Sequence, residues 1–404
     1  EYLCTADDLE GAGKLVKTAV GYENTAYLDE DKRSGEENEL RCSTSRLKSF
    51  ASCPYQHFAR YTLGLEERDV LGFEPMDIGN FYHKVLEGVF RELKGRGKDF
   101  GSADDQELMD VCSDQIEKVI EDDPSIGIFA GKGLHNKFLI DTACETLQEC
   151  VCDYGKISRA GSFKQKAAEV TFGFGSDEDS EFSIELSGGG KVVLRGVIDR
   201  IDTAEIDGKR AALIFDYKRS ETSVSWDQIY SGRDLQLPVY MLAISQIEIE
   251  GEKIDLPAGA FFMPVESKAD AKDGKFSRKA KGIFRGSLYE HLDNNDSGGW
   301  NEFFNFYVGK DGEPYGHYGK SAALREDEFA GLLEFARAKI AELAERILAG
   351  DIDISPVRTG KSAPCDYCDF LRLCRFDIRH NDYNDMPKMD KNDFVSRLED
   401  SDER

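Results

Sequence analysis

The chain has 404 residues, 40% of them apolar, with 78 acidic against 52 basic side chains and a formal net charge of −26. That length allows two or three packed domains, or one large domain with insertions, and no apolar run nears the ~20 residues that span a bilayer. A balance this acidic excludes a broad non-specific nucleic-acid face, so a DNA substrate would have to be met by local basic side chains and metal ions.

The chain opens EYLCTADDLE without an initiator Met or a signal peptide and is expected to be a piece of something longer. Residues 1–42 read as an acidic linker or the remnant of an upstream domain. STSRLKSFASCPYQHFARYTLGL (43–65) has helical periodicity, with Leu47, Phe50, Phe58 and Tyr61 on one face and Ser43 or Thr44 as cap. A second helix is predicted over 77–93 (DIGNFYHKVLEGVFREL), and two acidic helices near 104–121 and 138–158. The period then changes to two. AAEVTFGFG, SEFSIELS, VVLRGVIDRID and AALIFDYKRS read as four successive strands. A helix over 234–247, an apolar strand AGAFFMPVE and a long helix over 325–349 follow, whereas 267–320 resists assignment. The tail, 377–404, is charged and expected to be loose. Helices, a strand meander and a helix packing back give an α/β or α+β core. HYGKS and RTGKS lack the glycine a Walker A loop needs six residues before the lysine, so no ATP motor is expected in this chain.

Polar residues sit at the ends of these elements. His83 lies early in an amphipathic helix, and Asp199 and Asp202 end the strand GVIDRID. Asp216 and Lys218 end the next strand, on one face because residues i and i+2 share a face. Gln236 and Tyr240 share a face of the following helix. Taken singly these are ordinary: a satisfied histidine, a salt bridge from Asp199 to Arg200 or Arg195, a surface ion pair in D-Y-K. Taken in order they are more specific. An aspartate after Gly-Val-Ile on a buried strand needs a cation. Paired strands would bring Asp199 and Asp216 to one rim, where two carboxylates favour a divalent ion. An imidazole completes a mixed N/O site suited to magnesium or manganese, and Lys218 would orient a water or offset phosphoryl charge.

Ten cysteines in a chain this long do not read as a secreted disulfide framework. Cys365, Cys368 and Cys374 form C-x2-C-x5-C, which is ligand spacing, and Cys53 is a candidate fourth ligand. Four thiolates suit zinc or an iron–sulfur cluster, and spacing alone leaves both open.

The order His, Asp, Asp-x-Lys, Gln-x3-Tyr, with the opening motif SRLKSFASCPYQHFARYTLGLEE, resembles the RecB-type branch of the PD-(D/E)XK nuclease superfamily over residues 43–376. Within that branch it is most similar to the iron–sulfur nuclease domains of AddB-type helicase–nuclease subunits. The resemblance implies a restriction-endonuclease-like α/β core, a central mixed sheet flanked by helices, with an iron–sulfur staple joining its N- and C-terminal parts. It implies metal binding by His83, Asp199, Asp216 and the backbone carbonyl of Tyr217, with Lys218 catalytic, and Glu169 falls where the family often carries a Glu. It implies that Gln236 and Tyr240 face DNA, and that Cys53, Cys365, Cys368 and Cys374 hold a [4Fe–4S] cluster. Arg200 and Arg219, beside the metal motifs, are further candidates for DNA contact. Expected partners are single-stranded DNA and a helicase subunit of AddA type, with no membrane, in a reducing cytoplasm where thiolates persist. A stand-alone exonuclease of the exonuclease V or CRISPR spacer-acquisition type shares these motifs. A non-catalytic DNA-binding scaffold and a zinc-stapled protein of unrelated function are the other readings.

Overall fold

The computed structural model describes residues 39–66, 75–173, 181–267, 278–294 and 298–402, so the expected linker over 1–38 lies outside the described residues. The sheet is organised by one long strand, β4 (Lys191–Ile206). Its first half pairs in parallel with β1 (Glu39–Ser43) and antiparallel with β3 (Phe182–Glu185). Its second half pairs antiparallel with β2 (Lys164–Phe172) and β5 (Lys209–Lys218). Beyond β5 come β6 (Leu256–Pro264) in parallel, β7 (Lys281–Arg285) and the short β8 (Ala323–Leu324). Among the described residues these eight strands form one mixed sheet.

Helices cover both faces, because β5 and β6 are apolar on both sides and so must be buried twice. One face carries α1 (Thr44–Ser52), α8 (Gln236–Ala243), α9 (Glu326–Leu348) and α11 (Lys391–Asp402) around Leu47, Tyr240, Phe329 and Phe394. The other carries α3 (Pro75–Gly95), α4 (Asp105–Asp122), α5 (Pro124–Gly131) and α6 (Leu134–Ala160) around Val85, Val111 and Tyr154. The α/β architecture expected from the sequence is therefore present. No described helix is long and apolar enough to cross a membrane.

Four expectations need correction. The boundary at residue 42 falls one strand late, since Glu39–Ser43 is a strand whose Leu40 and Cys42 enter the core. The helix over 43–65 is broken at Cys53, which is extended (φ −168°) because the following Pro54 disfavours helical backbone in the residue before it. The helix resumes as α2 (Pro54–His57) and a wider turn over Phe58–Thr62. The stretch that resists assignment supplies β7 at the sheet and an interior Arg278. The tail is folded: β9 (Val357–Thr359) pairs with β10 (Asn384–Met386), and α11 buries Phe394 and Val395. Lys391 is fully buried, donating to the carbonyls of Ser321 (3.1 Å) and Ala323.

Candidate active site

The site forms where the sheet's regular alternation fails on two adjacent strands. On β2 the residues facing the α1/α8 layer are Ala167 and then Val170; on β4 they are Ile198 and then Ile201. A spacing of three instead of two puts both strands out of alternation at the same place, while the pairing keeps its register, Ala168 with Arg200 and Val170 with Ile198. Glu169 and Asp199 occupy those places, and Glu169 takes a left-handed φ of 49°. The β4–β5 ladder opens at the same point. Its last pair is Arg200 with Phe215, so Asp199 and Asp216 stand opposite each other just past it. The side chain of Asp199 substitutes for the lost ladder bond, its Oδ2 accepting from the Tyr217 backbone N–H at 2.6 Å.

Helix α3 brings His83 over this opening. Its Nδ1 is 3.5 Å from Asp199 Oδ1 and 3.8 Å from Glu169 Oε1, and its Nε2 is 3.2 Å from the Tyr217 carbonyl oxygen. One ligand atom each from His83, Glu169 and Asp199 lie within 4.8 Å of one another. The Tyr217 ring stacks on Tyr154 (5.5 Å) and meets the His83 ring edge-on (5.8 Å), while its carbonyl faces His83. Asp216 and Lys218 project to the other side of β5. Lys218 Nζ sits 2.6 Å from Asp216 Oδ2 and donates to Gln236 Oε1 at 3.0 Å. Gln236 Nε2 donates to Asp216 Oδ1 (2.6 Å) and to the Tyr240 hydroxyl (2.9 Å).

The charge here is short of cations. Asp199 and Asp216 are 7% and 2% exposed. Burial, and then the charge of Asp199, push the Asp216 carboxyl up to about 7 against the pull of Lys218. Burial opposes charging of His83, but hydrogen bonds and charge from Asp199 and Glu169 prevail and raise it to about 10. Three carboxylates, an imidazole and a backbone carbonyl around buried negative charge suit a hard divalent cation. The sign of the pH dependence follows. Both raised groups keep a proton in the folded, metal-free protein that the unfolded chain has already lost. Stability therefore falls as pH rises, from about 4 to 7 for Asp216 and from about 6.5 to 10 for His83. A cation must displace those protons. Calorimetric manganese titrations near pH 7, in buffers of different ionisation enthalpy, are expected to show about one to two protons released per ion and an affinity that climbs with pH. An affinity flat from pH 6 to 8 would contradict this account.

The structure thus gathers His83, Asp199, Asp216, Tyr217, Lys218, Gln236 and Tyr240, and brings Glu169, which the family resemblance had already marked without assigning it a role, into the same group. It corrects others. Arg200 does not face outward: it is fully buried between the rings of Phe100 (5.2 Å) and Phe215 (5.1 Å). There it is held by both carboxylate oxygens of Asp202 (2.7 and 2.6 Å) and by Ser158. The break in alternation at Asp199 turns it inward. Arg200→Ala is expected to cost about 3–5 kcal/mol by stranding Asp202, read as a lowered unfolding midpoint. Tyr240 is 5% exposed, against Phe172, and so braces Gln236 from within and does not present a face to solvent. Arg219 is exposed and paired with Glu266 at 2.7 Å.

At the far end of α1, Cys53 lies close enough to Cys368 and Cys374, and Cys365 to all three, for their charges to interact. Burial first, and then these neighbours, hold Cys53 and Cys365 as thiols, up to about 11 and about 12. Four cysteines brought together in this way suit either a tetrahedral zinc or a polynuclear iron–sulfur centre. Tyr55 N–H to Asp353 O (3.0 Å) and Arg60 to Asp369 (2.8 Å) fasten the same two segments.

The family model of the PD-(D/E)XK nuclease superfamily matches residues 41–375. The chain is 31% identical to an ATP-dependent helicase/deoxyribonuclease subunit of Moorella thermoacetica, over 84% of this chain and 30% of that protein. It is 31% identical to a protein of the same name from Desulfitobacterium hafniense (90% and 32%), and 29% to one from Clostridium tetani (90% and 33%). It spans about a third of the length of the curated relatives it matches.

Proposed function

We propose, from the premise that the chain belongs to the PD-(D/E)XK nuclease superfamily, that it is a metal-dependent DNA nuclease. It degrades single strands delivered by a helicase subunit of AddA type during the processing of double-strand ends for recombinational repair. The observation that carries this reading is Lys218, held by Asp216 and Gln236 beside the His83–Glu169–Asp199 group. A scaffold needs no such arrangement. The relatives' shared name, which joins helicase to deoxyribonuclease, supports the partnered form over a stand-alone exonuclease.

His83, Asp199, Asp216 and the Tyr217 carbonyl, with Glu169 at hand, would hold magnesium or manganese. When bound, the ion acidifies water and neutralises phosphoryl charge. The chain's own groups do the rest. Asp216 and Gln236 fix the Lys218 ammonium, so that it meets the developing charge without reorganisation. Tyr240 fixes Gln236. Burial around Asp199 and Asp216 thins out competing water, which strengthens every charge interaction in the site. Cys53, Cys365, Cys368 and Cys374 would hold a [4Fe–4S] cluster in a structural role.

The test is degradation of end-labelled single-stranded DNA by anaerobically purified protein, with magnesium or manganese and with chelator. Metal-dependent shortening from an end supports the reading. An inert protein with full iron content, also inert when assembled with its helicase partner, would leave it a scaffold.

A further inference from the structure

Several basic side chains near the site already have carboxylate partners: Arg60 with Asp369, Arg219 with Glu266, Arg200 with Asp202. Arg46 is different. It stands in the first turn of α1, its backbone N–H on the Ser43 hydroxyl (3.3 Å). Its Nε donates to His57 Nε2 at 3.0 Å, its Nη1 to the Arg41 carbonyl at 3.3 Å, and its guanidinium lies over Tyr61. Each of these contacts is neutral. His57 is buried, and because Arg46 Nε donates to its Nε2, that nitrogen serves as the acceptor. The charge that bears on Arg46 besides the weak acids Cys42 and Tyr61 is another cation, Arg195, which opposes it. A half-buried guanidinium beside a second one, with no carboxylate among its contacts with the described residues, is a costly arrangement until an anion arrives.

Its place suits one anion. Arg195 pairs in register with Ser43, at the start of α1. It also lies four residues before Asp199 on β4, a run of about 13 Å along the strand. Lys48, also on α1, bears on Asp234, and so does Lys218. The first half of α1 thus flanks the rim that leads to Lys218.

We propose that Arg46, positioned by His57 and seconded by Arg195, is a docking point for a backbone phosphate of the single strand away from the scissile bond. This rests on the nuclease reading and deepens it by naming where the strand is gripped. A planar fork with Nη2 making no bond among the described residues is suited to phosphate oxygens, and Tyr61 beside it offers a ring edge to the strand. The arrangement also ties grip to the cysteine segment: the His57 N–H donates to the Cys53 carbonyl at 3.2 Å, so the turn that carries the first cysteine also carries the histidine that aims Arg46.

The experiment is fluorescence anisotropy of a labelled thymidine oligonucleotide with the full chain, in chelator so that nothing is cut, across a salt series. Arg46→Ala is expected to weaken binding roughly tenfold and to lower the slope of log affinity against log salt by about 0.7, one phosphate contact. Arg46→Gln, which keeps a donor for His57 but not the charge, should do the same if the alanine variant fails to fold. For the positioning role, His57→Phe should weaken binding and His57→Gln, which retains an acceptor, should restore most of it. Wild-type affinity and slope in both Arg46 variants, or no binding by the wild type at low ionic strength, would overturn the proposal. A protein that cuts DNA while Arg46→Gln binds normally sinks this site alone. One that binds through Arg46 and never cuts sinks the nuclease reading instead.

Discussion

Replacing Lys218 with Ala is expected to slow single-turnover cleavage of single-stranded DNA by about 10²- to 10³-fold, with oligonucleotide affinity nearly unchanged. The ammonium is placed by two neighbours, Asp216 at 2.6 Å and Gln236 at 3.0 Å, and an aligned donor of this kind acts mainly in the transition state. Its loss should therefore appear in the rate and not in binding. Lys218 is about a third exposed but Asp216 is buried, so removing the ammonium leaves a buried carboxylate short of its partner and the unfolding midpoint should also fall. The rate is compared at a temperature where both proteins are folded. Lys218→Arg is not expected to rescue, since a planar fork cannot occupy the point an ammonium fills. Cleavage by Lys218→Ala within threefold of wild type would remove the lysine from the mechanism.

The second large effect concerns the cysteines. Cys368→Ser is expected to abolish iron incorporation and to lower the thermal midpoint sharply, whereas Cys112→Ser, a buried thiol of α4, should leave iron content unchanged. The proposed cluster would join Cys53 to Cys365–Cys374 and so close a loop of more than 300 residues, a link worth about 6 kcal/mol in the chain-entropy account. The contacts that remain between these segments, such as Arg60–Asp369, are half-exposed and contribute far less. Limited proteolysis should then cut the variant within 353–380 while the sheet resists. An iron-free variant with a wild-type midpoint and wild-type protease resistance would show that the centre is dispensable for the fold.

Much of this was legible in the residues, for reasons that differ by element. The strands ending in Asp199 and Asp216–Tyr217–Lys218 announce themselves by apolar runs with polar ends, and their pairing follows from a short turn. What the sequence could not convey is the coincident irregularity on β2 and β4. A break in alternation leaves no compositional trace, yet it sends Glu169 and Asp199 into the site and Arg200 into the core. The same blindness hid β1, whose parallel partner lies some 150 positions away in the chain, and the folded tail, whose charged surface disguises the apolar pair Phe394 and Val395. Tyr240 shows a further limit. Helical periodicity gives the face it shares with Gln236 but not whether that face meets solvent or sheet.

The span from Cys53 to Cys374 also sets an order of events at birth. Every group of the candidate centre from His83 to Tyr240 leaves the ribosome before the three C-terminal cysteines are made. At about 5–20 residues per second the gap is on the order of ten seconds. During that interval the sheet can pair around β4 and gather its carboxylates, and α9 can pack against α1, but Cys53 still lacks the C-terminal cysteines it would be joined to. With the proposed cluster on these cysteines, the nuclease would acquire its chemistry first and its clasp last, and a shortage of iron would accumulate molecules whose centre is already assembled and whose ends are still undone.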